Sequence, residues 1–223
     1  MVASVNVVPL RGQERVQSAV GIDHIILRAK NLTRGIEAFT RLTGVVPTRG
    51  GQHPGRGTEN ALVSLGADHY LEILAAIATT PDSVTAAPAE TVTLLPAGWA
   101  IHTRALDTLI VQVQAAGFSL VGPTPGSRRA PDGTLLEWRT AGAPGPDLAL
   151  APFFIEWGAG TPHPSSTSPK GCRLVSLELV QPDTTRLSAF LRAAGYEPPL
   201  RRGKALSMRV DLDCPRGRVS FSS

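Results

Sequence analysis

Two short stretches restrict the fold more than anything else in the chain: Gly21-Ile22-Asp23-His24-Ile25-Ile26-Leu27-Arg28 and His69-Tyr70-Leu71-Glu72-Ile73-Leu74-Ala75. Both alternate in the way a half-buried strand requires. In the first, His24, Ile26 and Arg28 share one face and Ile25 and Leu27 the other. In the second, Tyr70, Glu72 and Leu74 lie opposite Leu71, Ile73 and Ala75. Each strand thus carries one side chain able to ligate a metal among apolar neighbours. An imidazole and a carboxylate brought together inside a sheet suit a divalent cation.

Between these strands, Leu32, Ile36, Phe39 and Leu42 recur at helical spacing, with Asn31 as a cap and Gly44 as a left-handed stop. Residues 48–60 read as a Gly-rich loop, and 61–66 and 69–76 as strands joined by a tight turn. The order strand, helix, strands then returns twice. Residues 98–103 form a strand and 105–117 a helix with Leu106, Leu109, Ile110 and Val113 inward. Residues 133–139 and 148–157 follow as strands. Later come a strand at 172–180, a helix at 183–195 with Leu187, Phe190 and Leu191 inward, and strands at 205–212 and 217–221. Residues 79–96 and 159–171, rich in Pro, Ser, Thr and Ala, read as linkers. The expected organisation is an N-terminal arm (1–20), a first βαβββ module (21–78), a second βαβββ-like module (97–158) and a third, βαββ-like module (172–223). Each module is about 55–60 residues, the size of one strand–helix–strands unit. One such curved sheet leaves a face unburied, so two should pair to close a cup.

Composition narrows the function classes. At 223 residues the chain can bury a core without disulfides or a structural metal. The 22 glycines and 19 prolines favour many short turns over long helices. The net charge of +4 comes almost wholly from arginine, with no basic run and no basic stripe interleaved with aromatics, which argues against nucleic acid. No stretch approaches a membrane span, residues 5–10 are too short for a signal core, and a cytoplasmic location follows by default. Cys172 and Cys214 have no metal-ligand spacing; whether they pair stays open. Serines lack a Gly-x-Ser-x-Gly setting, which excludes a serine hydrolase of that type.

Other residues carry weaker signals. The loop around His53, Arg56, Thr58 and Asn60 has glycines that let backbone approach a ligand, and Arg56 can fork onto a carboxylate or phosphate. The plain alternative is a turn leading into a strand. Glu72, flanked by Leu71 and Ile73, needs a cation, a donor or a proton if buried. Glu156 stands among Phe153, Phe154 and Trp157, with His163 soon after, a composition that suits a small-molecule pocket as well as it suits a sheet core. His69 reads as solvated, His102 as a surface or capping residue, and the Arg128-Arg129 pair as a solvated loop pair, with a grip on an anion as the alternative.

The stretch Asp23-His24-Ile25-Ile26-Leu27 with its helix to Gly44, then His53-Pro54-Gly55-Arg56-Gly57-Thr58-Glu59-Asn60-Ala61-Leu62-Val63-Ser64-Leu65-Gly66 and Tyr70-Leu71-Glu72, resembles the vicinal oxygen chelate superfamily, in particular its glyoxalase-like branch. Pro152-Phe153-Phe154-Ile155-Glu156-Trp157-Gly158, His163-Pro164 and Arg173-Leu174-Val175-Ser176 extend the likeness more loosely. The resemblance implies an α+β fold of repeated βαβββ modules, with curved mixed sheets and helices outside. It implies a divalent metal (Zn, Ni, Mn or Fe) on His24, Glu72 and Glu156. It implies Glu72 and Glu156 as catalytic carboxylates, and His53, Arg56, Thr58, Asn60, Phe154, Trp157 and His163 around the substrate. The third unit offers Ser176 and Ser220 at the matching positions, which are poor ligands. The expected ligand is a small oxygenated organic molecule. The expected chemistry is a metal-dependent lyase, isomerase or dioxygenase step, with metal-free sequestration as the alternative. A unit left over is free to serve as a lid or as the surface of a homodimer.

Overall fold

The computed structural model describes residues 20–53, 55–77, 93–145, 148–197 and 200–223. The expected arm, up to residue 19, and most of the first linker lie outside the described residues. The first unit is β1 (Gly21–Arg28), α1 (Leu32–Thr43), β2 (Thr48–His53), β3 (Thr58–Ser64) and β4 (Tyr70–Ala76). The second is β5 (Leu95–His102), α2 (Leu106–Ala115), β6 (Val121–Arg129), β7 (Leu135–Gly142) and β8 (Phe153–Trp157). A short α3 (Pro164–Thr167) precedes the third, β9 (Arg173–Gln181), α4 (Thr185–Ala193), β10 (Leu200–Arg202), β11 (Ser207–Cys214) and β12 (Gly217–Ser222). Among the described residues no helix is long and apolar enough to cross a membrane.

The first two units merge into one eight-stranded mixed sheet, ordered β2-β3-β4-β1-β5-β8-β7-β6. In each, the first strand runs parallel to the last, and β1 meets β5 antiparallel at the centre. The sheet curls until its two edges meet. Arg128 on β6 donates to the Gly50 carbonyl on β2, and a Cβ on Gly51 would fall 2.3 Å from the Arg129 carbonyl oxygen. Only glycine fits there, where φ is +127° and a backbone stands in the way. The result is an α+β half-barrel, the fold class expected from the sequence.

Strand alternation divides the sheet as read from the sequence. Ile25 and Leu27 of β1, and Leu71 and Ile73 of β4, enter the outer core, each fully buried. The helices and the third unit cover this outer face. Phe221 of β12 stacks on Phe39 of α1, while Phe190 of α4 packs on Phe154 of β8 and on Phe118. Asn31 caps α1 by accepting from the Arg34 amide at 3.1 Å, and Gly44 ends it at φ +81°. The inward face of α1 is rotated from the expected one. Leu32, Gly35, Ala38 and Phe39 are buried and Leu42 is 44% exposed. Gly35 explains the rotation, because a Cβ there would meet Ala29 Cβ at 2.8 Å and Ile73 Cγ2 at 3.0 Å.

Three other expectations are corrected, and one strand that the sequence reading did not include is added. Residues 48–60 are not a loop but most of a hairpin, with β2 paired to β3 through a bulge near Gly51. The segment that became β6 gave no strand signal. Its run Gly122-Pro123-Thr124-Pro125-Gly126 reads as a turn, yet as an edge strand it needs partners on one side only and tolerates proline. The strand expected from 148 begins only at Phe153. The third unit has the element order of the others but not their pairing. Its order is β10-β9-β11-β12, with β9 parallel to the strand that follows the helix and antiparallel to β11. It is therefore not a third copy of the module. Its Ser176 and Ser220 both donate to Asp211, at 3.1 and 2.6 Å. The cysteine question is also closed: Cys172 and Cys214 form a disulfide where β9 begins and β11 ends.

Candidate functional site

The inner face of the curled sheet encloses a cavity of about 180 Å³ lined by side chains from both halves. His24 of β1 and Glu72 of β4 reach it from adjacent parallel strands, where Ile26 pairs with Glu72 and His24 with Tyr70. Their Nε2 and Oε2 atoms are 3.6 Å apart. The other Glu72 oxygen accepts from Asn60 Nδ2 at 2.6 Å and lies 3.8 Å from His53 Nε2. His53 in turn bonds Thr58 Oγ1 through Nδ1, at 3.0 Å. Arg56, Thr58 and Trp157 also line the cavity. Seven of the residues singled out from the sequence therefore converge: His24, His53, Arg56, Thr58, Asn60, Glu72 and Trp157.

Three do not. Glu156 faces outward, where it accepts from the Leu106 amide at 3.2 Å, at the start of α2, and from Arg139. It is not near His24 and Glu72, so its expected places as metal ligand and catalytic carboxylate are corrected. Phe154 is fully buried on the outer face against Phe190 and is not a cavity residue. On β8 the inward set is Phe153, Ile155 and Trp157, so Phe154 and Glu156 fall on the other face. His163 caps α3 through its Nδ1 and turns Nε2 onto Asp23 at 3.1 Å, behind the cavity wall.

Asp23 is the largest surprise. It is fully buried and accepts from His24 Nδ1 at 2.6 Å, from Trp157 Nε1 at 2.9 Å and from His163 Nε2 at 3.1 Å. Simple alternation would send it to the side opposite His24. A register shift between Ile22 and His24 in the β1–β5 ladder lets both side chains act together. Burial alone would raise the Asp23 carboxyl, but the hydrogen bonds from His163 and His24 outweigh it and hold the group well below the usual carboxylate range. An ionised Asp23 only accepts, so His24 carries its proton on Nδ1 and turns Nε2 to the cavity and Glu72. Tyr70 stacks on the same imidazole at 4.7 Å, and burial raises its phenol, which stays protonated.

The opposite wall is aromatic. Phe153 stands edge-on to His24 at 5.4 Å, and Trp138 packs edge-on to His53 and to Trp157. Arg128, read as solvated from the sequence, is instead 4% exposed and lines the cavity. The signal was hidden because its strand reads as a turn.

The family's ligand positions can be followed through the repeat. The β1–β4 ladder pairs His24 with Tyr70, and the β5–β8 ladder pairs Ala100 with Phe153. In the second half the residues of β5 paired with Ile26 and His24 are Gly98 and Ala100, and the cavity-facing residues of β8 include Phe153 and Ile155. None of these residues has a side chain that can ligate a metal. Among the described residues no group of three or more His, Cys, Asp and Glu side chains is arranged to hold a metal. The side chains present do not fit the cage, with donors from both modules, that the resemblance implies.

Two partly buried histidines make stability depend on pH. Burial pushes His53 and His69 below their ordinary value; for His53 nearby Glu72 opposes this while Arg128 and Arg56 add to it. Their neutral forms are favoured in the fold, so the unfolded chain binds more protons as pH falls through about 6.5. Stability is full above that value and is lost below it, by up to about 1.4 kcal/mol per pH unit for each extra proton. Urea midpoints measured from pH 8 to 5.5 should fall steadily, and His53→Gln should flatten part of the slope.

A family model described as a glyoxalase-like domain matches residues 22–195. Among solved structures, a hypothetical protein from Staphylococcus aureus aligns with TM-score 0.61 at 16% identity, covering 91% of this chain and 85% of its own. That likeness bears on the fold alone. Methylmalonyl-CoA epimerase from Mycobacterium tuberculosis aligns with TM-score 0.40 at 19% identity, over 64% of this chain and 90% of its own. A mutant of 4-hydroxymandelate synthase from Streptomyces coelicolor gives 0.49 at 14% identity, over 90% and 61%. No curated protein matches the sequence.

Proposed function

The chain belongs to the glyoxalase-like domain family of the vicinal oxygen chelate superfamily, and from that premise we propose that its cavity binds a small oxygenated organic molecule and moves a proton on it through Glu72 and His24. The observation that carries this reading is a buried carboxylate beside an imidazole whose far nitrogen is pinned by Asp23. Glu72 is 6% exposed, faces the cavity and leaves Oε2 without a hydrogen bond among the described residues. A base so placed can take a proton from a carbon next to a carbonyl. The C–H bond breaks, its electron pair moves into an enolate, and the proton rests on Glu72 until it returns to the same or the neighbouring atom. His24 Nε2 is within reach to exchange that proton or to hold the enolate oxygen. The balance closes without an oxidant or reductant, which favours an isomerase or lyase step over oxygenation. No step is routed through a metal, since Gly98, Ala100, Phe153 and Ile155 give it no hold from the second half.

Sequestration without chemistry is the second reading, favoured by the aromatic wall of Trp138, Phe153 and Trp157. One experiment separates the two. Small α-hydroxy and α-keto carbonyl compounds are incubated with the protein in D₂O, and exchange of the α-hydrogen is followed by NMR. Proton transfer predicts exchange that drops by about 10²-fold or more in Glu72→Gln while binding is retained. Binding without exchange in the wild type sinks the catalytic reading in favour of sequestration.

A further inference from the structure

We infer that the ligand is an organic acid of about one ring in size and that Arg128 receives its carboxylate. This rests on the cavity being a binding site, as proposed above. The guanidinium is 4% exposed. Among the described residues its hydrogen bonding goes to one acceptor, the Gly50 carbonyl, and it makes no ion pair. The contrast with other arginines is sharp. Arg139, Arg173, Arg192, Arg201 and Arg209 pair with carboxylates at the surface, where pairing contributes least. The deeply buried one has none. A charge removed from water needs a partner, and a guanidinium with one of five N–H groups used retains a fork that matches a carboxylate.

The carboxylate whose field reaches Arg128 does not supply that partner. Glu72 accepts from Asn60 and makes no ion pair with Arg128; burial lowers the guanidinium, and the fields of Tyr70 and Glu72 only oppose that larger effect. Trp138, Phe153 and Trp157, from the same half of the sheet as Arg128, line the cavity beside it and suit a flat apolar body. The volume of about 180 Å³ is close to the roughly 150 Å³ that holds one benzene ring in an apolar protein cavity. An acid anchored at Arg128 would also supply the buried guanidinium with the counter-charge that it lacks among the described residues.

The test compares benzoate with benzamide, which match in shape and differ in charge, by calorimetry and NMR titration on the full chain. Wild type should bind benzoate at least tenfold tighter. Arg128→Met should erase that preference by weakening benzoate alone, and Arg128→Lys should keep part of it. Equal affinity of wild type for the two probes overturns the inference about Arg128 and leaves the cavity reading standing. Failure of both to bind at millimolar concentration overturns both. Arg128 also fastens β6 to β2, so if Arg128→Met does not fold, the wild-type ratio and Arg128→Lys decide.

Discussion

Replacing Asp23 with alanine should lower the free energy of unfolding by about 3–5 kcal/mol, the range for breaking a buried charged pair from one side. The reason is the number of donors left behind. Asp23 accepts from His24, Trp157 and His163, and is itself wholly out of water. Alanine removes the acceptor and leaves these N–H groups facing apolar surroundings, each at a cost of about 1–3 kcal/mol before relaxation. His24 is then free to change tautomer, so the loss extends to the cavity. The measurement is urea denaturation with an NMR probe of the Trp157 indole N–H, whose signal should move most. Asp23→Asn should recover part of the stability, because the amide oxygen still accepts, but its NH₂ group faces other donors. A loss under about 1 kcal/mol for Asp23→Ala would mean that these hydrogen bonds do not exist in solution.

Phe190→Ala should cost about 3–5 kcal/mol, the range for emptying a large aromatic site in a core. Phe190 is fully buried and joins α4 of the third unit to Phe154 and Phe118 of the second. Its removal tests whether the third unit is integral to the core or rides on it. An integral unit predicts one cooperative transition at a lower denaturant midpoint. Two separate transitions, or a loss near zero, would contradict the packing described here. Probe binding in the cavity should change little, because Phe154 lies on the outer face while its neighbour Phe153 lies on the inner one.

What the sequence made legible follows from how local each signal is. β1, α1 and β4 were readable because alternation, the Asn31 cap and the Gly44 stop are all set within a few residues. Their faces then placed His24 and Glu72 in one hollow correctly. In β8 the run Phe153-Phe154-Ile155-Glu156-Trp157 puts aromatics on both faces, so composition does not choose between them, and Phe154 and Trp157, both expected at the substrate, fall on opposite sides. β2 and β6 were missed because edge strands facing a cavity need neither apolar alternation nor freedom from glycine and proline. Arg128 was lost with β6. Asp23 depended on a bulge, which arises from pairing with a distant strand. The third unit repeated the order of elements, but strand pairing is decided by packing against the rest of the molecule, and there it diverged.

The way the two halves of the sheet share the cavity has a practical consequence. The duplicated halves divide their labour. One supplies His24, His53 and Glu72; the other supplies Arg128 and the aromatic wall of Trp138, Phe153 and Trp157. On the function proposed above, changes in the second half would redirect which compounds are admitted while the proton-handling groups keep their places, so that selectivity and reactivity would be adjustable apart from one another.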